Sequence, residues 1–351
     1  MRRMRLVIVD DGTLTARALI KELPSALAGR PVDMEILPAG DRCAATSAPS
    51  GDTGRVREFY GSPAELAGRV TGANILVVHK APVTGEVMDG APDLRLIACA
   101  RAHPVNVDVA AAAKRGITVV HAPGRAAEST ADLTMALLLH LARQLGEVCH
   151  QIGRLGPGLW QYDCRSFLEG LELAGKTLGI VGFGQVGRRV AVRAKAFGMH
   201  LLVHSPHVDP AQIRAAGCRP ASLEELLSSA DFVSLHTRPW PEKIGLIGAA
   251  QLDMMKSSAC LINTARGELV DEAALYRALK EKKIRAAALD VLVQEPPPPE
   301  HPFFTLSNLF LTPHLGGKTE AAPVRAARII AGEIVNFLAG RPLEHVVARN
   351  D

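Results

Sequence analysis

No stretch of this 351-residue sequence is long and apolar enough to read as a membrane span, and none has the core of a secretory signal. The first apolar run, LVIVD at Leu6–Asp10, is short and ends in two aspartates. An excess of one charge is also missing: 40 Lys and Arg stand against 36 Asp and Glu, spread along the chain, for a net charge of +4. That balance proposes neither a nucleic-acid nor a membrane partner. The one basic cluster, MRRMR, reads as a ragged lead-in to a first strand. Cys43, Cys99, Cys149, Cys164, Cys218 and Cys260 show no C-x-x-C or zinc-ligand spacing. Reduced thiols, a cytoplasmic setting and no metal site are therefore expected. Internal repeats and low-complexity tracts are absent apart from PPPP at Pro296–Pro299, which reads as a stiff loop.

What the chain does have is 48% hydrophobic residues against 22% charged ones, enough for two well-buried cores at this length. Apolar, β-branched runs recur at Leu6–Val9, Ile75–His79, Leu94–Cys99 and Ile117–His121 with helical stretches between them. A second series follows at Leu178–Val181, Leu201–His204, Phe232–Leu235, Cys260–Asn263, Ala287–Val291 and Leu309–Leu311. Strands alternating with helices predict parallel α/β layers, here two wound sheets. Between the series, Glu128–Gln151 is predicted as one long helix with a broad apolar surface that needs cover. The segment Leu37–Gly61 reads as irregular.

The run TLGIVGFGQVG at Thr177–Gly187 places a strand, a glycine-rich turn and a helix in order. Gly182 would form the tight turn, Gly184 would let the backbone approach a pyrophosphate, and Gly187 would allow close helix–strand packing. A helix N-terminus suits an anion because its first N–H groups lack partners and its dipole is positive there. A glycine loop between packed elements, with no nucleotide, is the alternative. Three later segments put ionisable residues just past strand ends, where α/β enzymes concentrate chemistry. INTARGELVDEAAL carries Arg266, ALDVLVQEP carries Glu295, and LTPHLGG carries His314.

With SLHTRPWPEKIGLIG at Ser234–Gly248, these ordered blocks resemble the D-isomer-specific 2-hydroxyacid dehydrogenases, a likeness running from about Ile75 to Thr319. The resemblance implies that Arg266 holds the substrate's carboxylate and carbonyl oxygen, a task suited to a planar charged fork. It makes His314 the acid–base and Glu295 the partner that fixes the imidazole tautomer. It also implies cofactor contacts from Gln185 and Val186 under the pyrophosphate and from Thr237, Thr264 and Ala265 along the dinucleotide. Asp290 would lie near the carboxamide, and Gly316 and Gly317 would let the backbone close on the nicotinamide side.

Two places depart from the family pattern. Members that prefer NAD usually carry an acid at the end of the second cofactor-domain strand, where this chain has Ser205 in LLVHSPHVDP, with His204 and His207 as its only potentially cationic neighbours and Asp209 further into the loop. NAD is expected, with NADP as an option. The substrate loop reads ARAHPVNVD at Ala100–Asp108, where relatives often have glycines. Arg101, Ala102 and His103, with His79 and Lys80 after an earlier strand, are the candidate substrate contacts, and Pro104 cannot donate.

The family implies an α/β fold of two doubly wound parallel-sheet domains: a flavodoxin-like substrate domain, 1–123 with 318–351, and a Rossmann cofactor domain, 124–317, separated by a cleft. A C-terminal helix is expected at Ala321–Leu338, with no appended regulatory domain after it. A homodimer through the Glu128–Gln151 helix is implied too. The expected activity is interconversion of a D-2-hydroxy acid and its 2-oxo acid; a dinucleotide-sensing binding protein of the corepressor type is the alternative.

Overall fold

The computed structural model describes residues 3–38, 56–156, 170–239 and 241–348. The chain divides into two compact units, Met1–Arg125 with Thr319–Asp351, and Ala126–Lys318. Its strands are β1 (Met4–Asp10), β2 (Val32–Pro38), β3 (Ile75–Val78), β4 (Leu96–Cys99), β5 (Thr118–His121), β6 (Thr177–Val181), β7 (His200–His204), β8 (Arg219–Pro220), β9 (Phe232–Leu235), β10 (Cys260–Asn263), β11 (Ala286–Leu289), β12 (Leu309–Leu311) and β13 (Val346–Ala348).

In the first unit the sheet order is β13-β5-β4-β3-β1-β2. All neighbours are parallel except β13, which runs antiparallel along β5. The runs of β3 and β4 are buried throughout because helices cover both faces. On one face Leu19 and Leu23 of helix Leu14–Ala26 pack with Ala326, Ile330 and Ile334 of helix Ala321–Leu338, and on the other Val87, Met88 and Ala112 close a second core. The order β2-β1-β3-β4-β5 is the flavodoxin-like winding, which reverses direction between β1 and β3.

The second unit holds a seven-stranded, wholly parallel sheet, β12-β11-β10-β9-β6-β7-β8. This is the Rossmann winding, reversing between β6 and β9. Met135, Leu138, Val190 and Ala191 fill one face and Leu226, Leu252, Leu275 and Leu279 the other.

Three expectations are corrected. The predicted helix Glu128–Gln151 is two helices, Ala127–Arg143 and Leu145–Leu155, because Gln144 takes a left-handed conformation (φ 52°) and ends the first. Leu37 is not irregular, since Leu37 and Pro38 finish the edge strand β2; residues 39–55 lie outside the described residues, as do Cys43 and Cys164. The expected strand start at Leu94 shifts to Leu96, after a turn in which the Leu94 N–H donates to Ala91 O. Among the described residues no helix is long and apolar enough to cross a membrane.

Candidate active site

The glycine turn joins β6 to helix Gln185–Ala196. Gly182 has φ 98°, and a Cβ there would stand 2.6 Å from the carbonyl oxygen of His236 at the end of β9. A Cβ on Gly187 would meet the Gly182 carbonyl oxygen at 2.2 Å, so any side chain would push helix and turn apart. Around Gly184, by contrast, nothing among the described residues lies within 4 Å of a Cβ position, and none of their side chains caps the helix that starts there. An open approach to uncapped backbone donors is what a pyrophosphate requires, so these residues fit a dinucleotide. Ser205 stands beside this turn and accepts the Phe183 N–H at 3.3 Å.

The ends of β10, β11 and β12 bring Arg266, Glu295 and His314 into one network. Buried Asn263 clamps the first turn: its side chain accepts from Ala265 N at 3.0 Å and donates to Arg266 O at 2.8 Å. The next residue, Gly267, lies so close to the Leu292–Val293 backbone that a Cβ would stand 2.1 Å from Leu292 C. Glu272 holds the same segment by accepting Val293 N at 2.9 Å. Glu295 then reaches back: Oε1 accepts Leu292 N at 3.0 Å, and Oε2 lies 2.6 Å from His314 Nδ1. Burial pushes the Glu295 carboxyl up, but the hydrogen bonds from His314 and Leu292 and the His314 and Arg266 charges outweigh it, leaving the pKa lowered. An ionised carboxylate only accepts, so His314 Nδ1 carries the proton and Nε2 is left for chemistry.

His314 itself has a left-handed backbone, φ 54°, an uncommon conformation for a residue other than glycine. Asp290, only 1% exposed, over-determines that turn. Its Oδ1 accepts from Thr312 Oγ1 at 2.6 Å and Leu315 N at 2.7 Å, its Oδ2 from Gly316 N at 2.8 Å, and its carbonyl from His314 N at 2.9 Å. The residue expected near a carboxamide is thus engaged first by the loop that carries His314.

The other expected cofactor contacts are distributed as follows. Thr264 is buried, with its hydroxyl 2.9 Å from that of Thr134, and Thr237 Oγ1 accepts from Lys243 Nζ at 3.0 Å. Gly316 O accepts from Thr130 Oγ1 at 3.1 Å, and Gly317 sits beside Ala126. Gln185 and Val186 form the first turn of the glycine-loop helix, where Gln185 Oε1 accepts from Arg189 at 2.7 Å. Asp209 caps helix Pro210–Ala215 through Ala211 N at 2.8 Å, and His207 is exposed.

In the first unit, His79 and Lys80 follow β3, and Arg101–His103 follow β4. Arg101 pairs with the Glu58 carboxylate and donates to its carbonyl at 2.9 Å. Lys80 Nζ lies 3.0 Å from Tyr60 Oη and 4.5 Å over its ring. Ala102 O faces His121 Nδ1 at 2.8 Å, and the His103 carbonyl accepts from Val105 N at 2.9 Å. Sequence reasoning missed Asn263, Gly267, Glu272 and Arg125. The first three flank Arg266 in the motif and could have been flagged as turn residues; nothing local marks Arg125, whose Nε is buried with no partner among the described residues.

The profile of the D-isomer specific 2-hydroxyacid dehydrogenase NAD binding domain matches residues 135–316. D-3-phosphoglycerate dehydrogenase of Methanocaldococcus jannaschii is 41% identical over 285 residues, covering 81% of this chain and 53% of that protein. Glyoxylate reductase of Korarchaeum cryptofilum is 40% identical over 260 residues, 74% of this chain and 77% of the relative. The crystal structure of the TT0316 protein of Thermus thermophilus superposes with a TM-score of 0.78 at 38% identity, covering 98% of this chain and 100% of that one. Fold and site thus define an α/β protein of the dinucleotide-binding class. The chain belongs to the D-isomer specific 2-hydroxyacid dehydrogenase family. It spans about half the length of the D-3-phosphoglycerate dehydrogenases it matches.

Proposed function

We propose that the protein is a nicotinamide-dependent oxidoreductase interconverting a D-2-hydroxy acid and its 2-oxo acid. The observation that carries this reading is the 2.6 Å contact between His314 Nδ1 and Glu295 Oε2, on a loop bracketed by Asp290 and next to the Arg266 turn. The residues of 182–187 would hold the dinucleotide, which when bound supplies or accepts the hydride. His314 Nε2 takes the hydroxyl proton in oxidation and returns it in reduction. Glu295 stabilises the imidazolium formed on the way, and Arg266 holds the substrate carboxylate with a charge-assisted fork. The enzyme names of the relatives favour turnover over partner binding as the output.

We assign cofactor binding to the second unit and substrate selection to the first, with His79, Lys80, Arg101, Ala102 and His103 as candidate contacts. NAD is the leading cofactor, as the matched domain's description suggests, and NADP is accepted because Ser205 offers no repulsion to a 2′-phosphate. A homodimer fits the exposure of Leu145 and Ile152 on helix Leu145–Leu155, and a cytoplasmic setting fits the free thiols of Cys99, Cys149, Cys218 and Cys260. The test is oxidation of NADH or NADPH with a panel of 2-oxo acids, followed at the nicotinamide absorbance band. Turnover of at least one is expected, and none across the panel would overturn the reading.

A further inference from the structure

The first unit has its own winding reversal, between β1 and β3, and ligands of open α/β sheets bind outside the strand ends at such a point. There Asp11, Thr13 and His79 form a chain of hydrogen bonds. Thr13 Oγ1 lies 2.6 Å from Asp11 Oδ1, 2.9 Å from His79 Nδ1 and 3.2 Å from Ala16 N, whose helix it caps. A hydroxyl has one proton, and the carboxylate can only accept, so the Thr13 proton goes to Asp11. Thr13 must then accept from both Ala16 N–H and His79 Nδ1–H. Asp11 is fixed in turn by Lys80 N at 2.5 Å and Thr13 N at 3.1 Å, with its side chain fully buried.

We propose that Asp11 and Thr13 are positioning residues that lock the proton of His79 on Nδ1, so that Nε2 is an acceptor reading a substrate hydroxyl additional to the one oxidised. This rests on the dehydrogenase reading and names the substrate class within it: 2-oxo and 2-hydroxy acids bearing a further hydroxyl. A lone pair on Nε2 attracts an O–H and repels a carboxylate or phosphate oxygen. Burial pushes the His79 pKa down, the Asp11 hydrogen bond and charge push it up, and the Arg125 and Arg101 charges lower it further; the net is downward, favouring the neutral ring. Burial raises the Asp11 carboxyl, but the His79, Thr13 and Lys80 contacts outweigh it and leave it lowered, hence ionised.

The experiment compares kcat/KM for hydroxypyruvate, pyruvate and 3-methoxypyruvate, the last keeping the oxygen but losing its proton, alongside the 15N spectrum of the imidazole. The parent should favour hydroxypyruvate over the ether about tenfold, one uncharged hydrogen bond's worth. His79→Leu should bring that ratio near one. Thr13→Val should lower it several-fold and Thr13→Ser restore it, which keeps the test informative if His79→Leu does not fold. The spectrum should show the proton on Nδ1. A proton on Nε2, a protonated ring at neutral pH, a parent ratio near one, or a ratio unmoved by the substitutions overturns the inference while turnover itself stands. Absence of turnover with every 2-oxo acid removes the dehydrogenase reading and this inference with it.

Discussion

The strand ends of the second unit and those of the first satisfy their polar groups to different degrees. Around β10, β11 and β12, each carboxylate is matched to donors: Asp290 to two amides and a hydroxyl, Glu295 to an amide and an imidazole. Around β1, β3 and β4, Asp10 and Asp11 are likewise held by donors, but the cations are unevenly matched. Lys80 leans on Tyr60, Arg101 on Glu58, and Arg125 keeps a buried Nε with no partner among the described residues, its pKa lowered by burial and then by the Arg101 charge. The first arrangement fixes His314 through Nδ1, as the proposed proton transfer at Nε2 requires. The second is incomplete in a way that an anion would complete, since an unsatisfied buried donor costs about 1–3 kcal/mol.

The largest test of this contrast is His314→Gln. It should lower kcat by about 10²–10⁴-fold while the dissociation constant for the dinucleotide, from fluorescence titration, stays within about twofold. An effect confined to KM would put His314 among the binding residues and erase the contrast. Asp290→Asn comes next. One of its oxygens becomes an amide facing Leu315 N or Gly316 N, so a hydrogen bond is lost and two donors confront each other. A cost of about 1–3 kcal/mol in loop order predicts kcat reduced about ten- to a hundredfold. Unchanged dinucleotide affinity would confirm that Asp290 acts by positioning His314; a fall in affinity with kcat intact would return it to the carboxamide.

For the first unit the corresponding variant is Arg125→Met. Replacing a part-buried guanidinium, whose Nε has no partner among the described residues, by an apolar chain of similar length should leave the ligand-free protein at least as stable in thermal unfolding, while KM for the 2-oxo acid rises about tenfold. A lower Tm with KM unchanged would make Arg125 a structural residue and not an anion reader.

How much of this could be read beforehand follows from range. Strands buried on both faces, such as β6, β9 and β10, announce themselves as apolar runs, and the expected bounds Leu178–Val181, Phe232–Leu235 and Cys260–Asn263 fall on or within one residue of them. The edge strand β12 falls at its expected bounds, Leu309–Leu311, but two other edge strands are not announced: β2 exposes four consecutive residues, Asp33–Ile36, and three-residue β13 pairs with the chain 226 residues before it. Gln144 breaks a helix at a left-handed position that is not itself a glycine, the neighbouring Gly146 falling inside the next helix. Arg266, Glu295 and His314 were legible because each sits in a motif. The Asn263 clamp is local to the Arg266 turn and lies within reach of the motif, whereas the Asp290 clamp, what Gly267 packs against and the Asp11–Thr13–His79 chain depend on contacts between strand ends, which no local pattern encodes.

The smallest expected effect concerns the cofactor, and here too tertiary contact alters what the local sequence implies. Beside Ser205 the nearby run offers only histidines as cations, yet helix Gln185–Ala196 supplies Arg188, whose guanidinium stacks 4.7 Å over the Phe183 ring and donates to Gln212 Oε1 at 3.0 Å. The Phe183 N–H in turn donates to Ser205. A permanent charge therefore stands over the residue that donates to Ser205. Ser205→Asp should raise the ratio of kcat/KM for NADH over NADPH about tenfold, by adding both an acceptor for ribose hydroxyls and a repulsion against phosphate. Arg188→Ala should raise the same ratio several-fold by weakening NADPH alone. If the parent already rejects NADPH strongly and neither substitution moves the ratio, another residue reads the ribose, and Ser205 serves only to hold the glycine turn.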